Sequence, residues 1–150
     1  MHHFNGSSTS LQDAEVLHSK PMPLWVRVIV IVGALLTLMG AVIALVHPVM
    51  LVAPRDEINR AVRIYAGYLA TRNLTLAVLL MALLLVGARR SLGNLMVLVG
   101  LIQVLDACMD VYERRWAIVP GVLAFGLIFL IGAARLSDGN PFWKLKAWTQ

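Results

Sequence analysis

Four runs of apolar residues, at 24–46, 64–86, 92–112 and 116–136, are separated by short polar breaks. Each approaches the about 20 residues that a helix rising 1.5 Å per residue needs to cross a hydrocarbon core. The pattern therefore predicts an all-α fold, an integral membrane four-helix transmembrane bundle over residues 21–138. Pro48, Pro54 and Arg55-Asp56-Glu57 break the apolar pattern after the first run, and Asp56 is a candidate cap for the second helix. Arg89-Arg90-Ser91 predicts a tight turn that folds helices 2 and 3 into an antiparallel hairpin. Residues 111–115 make the other short connection. Trp25, Tyr112, Trp116, Trp143 and Trp148 fall at or beyond the ends of runs, where amphipathic rings prefer the membrane interface.

The chain ends carry a different pattern. Residues 1–20 are polar, include Asp13 and Glu15, and have no apolar core, which predicts a disordered cytoplasmic tail. Lys20 ahead of an apolar run imitates a signal peptide. The run over 28–46 is about 19 residues, however, against about 7–15 for a cleavable apolar region, and no small-residue cleavage site follows at Val46-His47-Pro48-Val49. It is expected to be a retained helix. At the other end, 139–150 mixes Phe142, Trp143, Leu145 and Trp148 with Lys144 and Lys146, the composition of a segment lying on headgroups. Lys20, Arg27, Arg89, Arg90, Arg135, Lys144 and Lys146 fall on one side of the spans, against Arg55, Arg60, Arg63, Arg114 and Arg115 on the other. That bias and the short Arg89-Arg90 connection place both termini in the cytoplasm of a multi-pass protein, in the inner membrane if the source is bacterial.

Composition narrows the function classes. Hydrophobic residues make up 59% and charged residues 14% of 150, and the mean hydropathy is +0.78, outside the range of soluble domains. The net charge of +5 comes from short clusters at the ends of spans, which topology and anionic lipids explain; no basic stripe with interleaved aromatics points to nucleic acid. Cys108, the single cysteine, permits no internal disulfide and reads as a small buried hydrophobe. Gly33-x-x-x-Thr37, Gly40-x-x-x-Ala44, Gly93, Gly100, Gly121, Gly126 and Gly132 supply small residues for helix contact within the bundle, with a homodimer face as the alternative use. Pro120 falls in the first turn of helix 4, where its missing donor costs little.

Polar residues inside the spans are the candidate chemistry. A central Arg or Asp costs about 2.5–3.5 kcal/mol on insertion scales, while each Leu or Val returns about 0.3–0.6 kcal/mol, so such residues need a partner or a water-filled cavity. Counted from a turn near residue 90, Arg72 and Asp106 both lie about 25 Å from that end and share a level. Tyr65, Tyr68 and Arg72 form one stripe on helix 2; Gln103, Asp106, Asp110 and Glu113 form another on helix 3. Facing stripes would make a polar pocket, opening outward, of Arg72, Asn73, Asp106, Tyr68, Gln103 and Asp110. An ion pair that fixes helix register is the alternative account of Arg72 with Asp106. Asp106 and Asp110 are one turn apart, which suits a proton donor or acceptor. His47 is near in depth to Asp110 and Glu113, but no tight ligand spacing supports a metal, and no cofactor motif occurs.

The segments Tyr65-Ala66-Gly67-Tyr68-Leu69-Ala70-Thr71-Arg72-Asn73-Leu74-Thr75-Leu76, Arg89-Arg90 and Leu105-Asp106-Ala107-Cys108-Met109-Asp110 resemble small four-helix membrane proteins of the DoxX-like type. The likeness is to those uncharacterised families with Arg-Asn or Arg-Asp in helix 2 and Asp in helix 3. It covers about 24–136 and implies a four-helix integral membrane bundle with Arg72, Asn73 and Asp106 as its marked residues; Ala77 stands where many relatives would carry glycine. The expected function is that of a small accessory membrane protein binding lipids, a lipophilic small molecule or a larger membrane-protein partner. The alternative is an integral membrane enzyme of acid/base isomerase, cyclase or redox type, with catalytic Asp106 as acid or base and Arg72 polarising a lipophilic substrate. A proton- or solute-conducting homo-oligomer is the third reading, without an inverted repeat or broken helix in its favour.

Overall fold

A computed structural model describes residues 22–51 and 59–137. Its elements are α1 (Leu24–Val46), a 3-10 turn (Pro48–Leu51), α2 (Arg60–Val86), α3 (Arg89–Tyr112) and α4 (Val119–Leu136). The fold is an all-α four-helix bundle. By length and composition all four helices are able to cross a membrane.

Local chemistry sets the helix ends, and several differ from the apolar runs. α2 starts at Arg60, ahead of the apolar run at 64 as an upstream cap requires, because the Val62 N–H donates to Asn59 Oδ1 at 3.0 Å, making Asn59 its N-cap. Asp56, the expected cap, and the segments 1–20 and 139–150 lie outside the described residues. The reversal after α2 is Gly87-Ala88, not Arg89-Arg90-Ser91, which already belong to α3. Gly87 takes a left-handed φ of 72°, and the N–H groups of Gly87 and Ala88 donate to the carbonyls of Leu84 (3.2 Å) and Leu83 (3.1 Å), a Schellman closure. α3 ends the same way without glycine: Arg114 has φ 59°, its N–H reaches Val111 O at 3.1 Å, and Arg115 N–H reaches Asp110 O at 2.8 Å. α4 begins at Val119 instead of 116, with Pro120 in its first turn.

Packing follows the small residues. α1 lies closely along α2, and α3 along α4, whereas α2 and α3, although joined by the shortest connection, touch far less. The α2–α3 hairpin is therefore a chain reversal rather than the tightest packed pair. Ala41 and Ala44 of α1 meet Ala66 and Ala70 of α2. Gly100 and Gly126 bring the backbones of α3 and α4 together, since a Cβ on either would lie 3.0–3.1 Å from the other's carbonyl oxygen. Helices in lipid have no hydrophobic drive toward one another, and van der Waals contact between small residues is the kind of packing that holds such helices together.

The core is layered along the bundle. At the end holding the Gly87-Ala88 turn, Val26, Val30, Leu80, Leu92, Met96, Val99 and Phe129 are fully buried. Phe129 crosses from α4 to lie on Gly33 of α1, with the Phe125 ring centroid 4.7 Å from its own. Gly93 meets Leu136 and Gly132 meets Met96, as packing glycines do, but Gly121 has no neighbour within 4 Å of a built Cβ. Cys108 is exposed, which corrects its expected burial: it follows the buried Ala107 and so is turned about 100° to the outer face of α3.

Candidate functional site

Beyond the apolar core, at the level of Leu36 and Thr37 in α1, the four helices line an open cavity of about 290 Å³. α2 contributes Leu69, Arg72 and Asn73, α3 contributes Gln103 and Asp106, and α4 contributes Gly121, Val122 and Phe125. The apolar core reaches Ala34 on α1, Leu76 on α2, Ile102 on α3 and Phe125 on α4, so polar lining replaces apolar packing within about one turn on every helix. Phe125, shared by both layers, forms the boundary. Gly121 is the third residue of α4, which extends the cavity toward the bundle end where α3 stops and α4 starts.

Arg72 and Asp106 meet here. Arg72 Nη2 donates to Asp106 Oδ2 at 3.0 Å, and the two side chains retain 39% and 38% of their exposure. Because the turn is centred on Gly87-Ala88, Arg72 lies about 23 Å and Asp106 about 28 Å along their helices from it. The long arginine side chain spans that offset. The contact joins one guanidinium nitrogen to one carboxylate oxygen, so most of the five guanidinium donors remain directed elsewhere. Asn73, one residue on, lies with Nδ2 against Gly40, where an added Cβ would sit 3.1 Å away. Glycine at position 40 thus lets an amide fit between α1 and α2.

Not all the expected pocket residues come together. Tyr68 and Tyr65 are 68% and 72% exposed, and neither lines the cavity. The Asp110 carboxylate also lies off the lining, 3.5 Å from Arg115 Nη1, the residue whose N–H closes the end of α3 onto the Asp110 carbonyl. The extended facing stripes reduce to Arg72 opposite Asp106, with Gln103 beside them. Glu113 and His47 are exposed, and among the described residues no group of three His, Cys, Asp or Glu side chains converges in metal-binding fashion.

The cavity also includes residues that the sequence pattern did not single out for a site: Leu36, Thr37, Leu69, Gly121, Val122 and Phe125. Thr37 is 5% exposed, and its hydroxyl donates to the backbone carbonyls of Gly33 (2.9 Å) and Ala34 (3.0 Å), so its polarity is satisfied within α1. A hydroxyl on the buried face of the most apolar run was the available signal. Gly121 carried none, since a packing glycine and a cavity-lining glycine read alike.

Fold and site together define a four-helix bundle whose helices are long and apolar enough to cross a membrane, with a polar cavity built around one ion pair. No family model matches the chain, and neither a curated protein nor a solved structure matches it.

Proposed function

We propose that this protein is a small integral membrane protein, with both termini in the cytoplasm, that acts as an accessory or lipid-binding component and holds the polar part of an amphiphile in the Arg72–Asp106 cavity. Its place would be the inner membrane if the source is bacterial. The observation that carries the reading is the cavity itself: all four helices line it, and it contains an Arg and an Asp joined by a single contact. A register-fixing pair alone would gain most from a closed, fully packed surround, because polar groups in a bilayer are stabilised by satisfying every donor. An adjoining cavity instead leaves guanidinium donors available to a ligand.

The enzyme alternative receives less support. That reading has Asp106 as acid or base and Arg72 polarising a lipophilic substrate; Asp110, whose neighbouring charge would suit Asp106 to proton transfer, is held toward Arg115, and Asp106 is the only carboxylate among the described lining residues. The DoxX-like resemblance belongs to the same proposal and rests on Arg72, Asn73 and Asp106.

Native mass spectrometry of the full chain released from a gentle detergent tests the reading. Wild type is expected to retain a lipid-sized ligand, and Gly121→Leu, at a lining position where an added Cβ meets nothing within 4 Å, is expected to lose it. Equal retention by both would refute binding in this cavity. A stoichiometric larger protein in place of a lipid would favour partner binding.

A further inference from the structure

The charges at the cavity specify more than an amphiphile. Arg72 and Asp106 are opposite, adjacent and both accessible, and the remaining polar lining side chains, Thr37, Asn73 and Gln103, are uncharged. Among the described residues the lining is therefore neutral in sum but strongly divided. A purely anionic head would gain Arg72 only by approaching Asp106, a repulsion that offsets the attraction. A head carrying its own anion and cation a short spacer apart matches both poles, replacing one ion pair by two.

The type of cation is also constrained. Asp106 accepts hydrogen bonds, and a primary ammonium offers three N–H donors whereas a quaternary ammonium offers none. Quaternary cations are instead held by aromatic faces, and Phe125 is the only aromatic residue among the described residues lining the cavity. Arg72, with its planar fork of donors, suits a phosphate. Access from the bilayer has a route, since α2 and α3, which carry the two charges, are loosely packed against each other while α1–α2 and α3–α4 are close pairs. Leu36, Leu69, Val122 and Phe125 offer apolar wall to the first carbons beyond a head.

Resting on the amphiphile-binding reading above, we propose that the Arg72–Asp106 cavity selects a phospholipid with a zwitterionic head bearing a primary ammonium, phosphate toward Arg72 and ammonium toward Asp106. The ion pair opens to admit the head and re-forms when it leaves.

The test equilibrates the full-length protein with mixed micelles containing equal amounts of phosphatidylethanolamine, phosphatidylcholine and phosphatidylglycerol of one acyl composition, and reads retained lipid by native mass spectrometry. Wild type is expected to retain the ethanolamine lipid about tenfold over either competitor, the ratio that a difference of one charge-assisted hydrogen bond produces. Asp106→Asn should abolish that preference over the choline lipid while raising retention of the glycerol lipid. Arg72→Gln should lower retention of all three. Should either single variant unfold, the neutral double variant Arg72→Gln with Asp106→Asn, which leaves no lone charge, is expected to fold and to bind without head preference. Equal or greater retention of phosphatidylglycerol or phosphatidylcholine, still lost in Gly121→Leu, would overturn the zwitterion assignment and leave amphiphile binding intact. Retention unaffected by all these variants would overturn both. Displacement of the lipid by an equal concentration of soluble glycerophosphoethanolamine would overturn the assignment to a membrane lipid.

Discussion

Arg72 Nη2 and Asp106 Oδ2, 34 positions apart in the chain, are joined at 3.0 Å across the least tightly packed helix seam that the chain crosses by a direct turn. Both side chains are more than a third exposed, so the pair stands between an exposed ion pair, worth about 0–1 kcal/mol, and a buried one, whose disruption costs about 3–5 kcal/mol. Arg72→Ala and Asp106→Ala are each expected to destabilise the bundle by about 1–3 kcal/mol, and the double alanine variant by less than the sum. The exchange of Arg72→Asp with Asp106→Arg should recover much of the loss. Thermal unfolding of wild type and the four variants in one detergent measures the coupling; strictly additive alanine effects would show that the contact contributes nothing to the fold.

The Phe129 ring of α4 lies on Gly33 of α1, joining two helices that otherwise touch sparsely. Phe129 is fully buried, and a Cβ at position 33 would overlap its ring. Phe129→Ala removes a large buried side chain and is expected to cost about 3–5 kcal/mol. Gly33→Ala should also destabilise, because the ring must shift, and combining it with Phe129→Leu should be milder than the two changes summed. Unfolding midpoints in detergent test this. A neutral Gly33→Ala would mean that the ring has room the structure does not show.

The four spans and the meeting of Arg72 with Asp106 were legible because both follow from counting: apolar run length sets the crossings, and distance from a shared turn sets depth. What counting does not contain is which way a residue faces once helices choose neighbours. Tyr68 shares a stripe with Arg72, yet it is exposed because α2 turns its alanine face, Ala66 and Ala70, toward α1. Asp110 shares a stripe with Asp106 but is captured by Arg115 where α3 ends. The contributions of Thr37, Gly121 and Val122 depend on all four helices closing around one level, a long-range property without local pattern. Helix ends moved for local reasons: Asn59 and Gly87 are ordinary capping residues that sit outside the apolar periodicity.

Arg114 offers a local test of the α3 end. Its φ of 59° is the left-handed conformation, which costs a non-glycine residue about 1–2 kcal/mol, and the Schellman bonds from Arg114 and Arg115 hold it there. Arg114→Gly is expected to stabilise the protein by up to about 1 kcal/mol, the gain being reduced by the extra freedom of glycine when unfolded. Arg114→Val should destabilise it, since a β-branched residue is least suited to this region. Amide hydrogen exchange at residues 114 and 115 reports the change directly. Slower exchange in Arg114→Val than in Arg114→Gly would contradict the closure.

Gly121 and Gly126, five residues apart on α4, should respond in opposite ways to the same substitution. At Gly126 an added Cβ lies 3.1 Å from both the Gly100 carbonyl oxygen and Gln103 Cβ, so Gly126→Leu must push α4 away from α3. Overpacking of this kind costs about 1–3 kcal/mol or more, and here the obstacle includes backbone that cannot rotate aside. At Gly121 nothing lies within 4 Å, and replacing a helical glycine by a better helix former contributes up to about 1 kcal/mol. Gly121→Leu is therefore expected to fold with an unchanged or raised melting temperature while filling part of the cavity beside Arg72 and Asp106. Loss of bound lipid in that variant, with stability intact, would separate the binding role of the cavity from the packing role of the bundle. A fall in stability at Gly121 equal to that at Gly126 would place the first turn of α4 against a neighbour and remove the basis for treating position 121 as cavity wall.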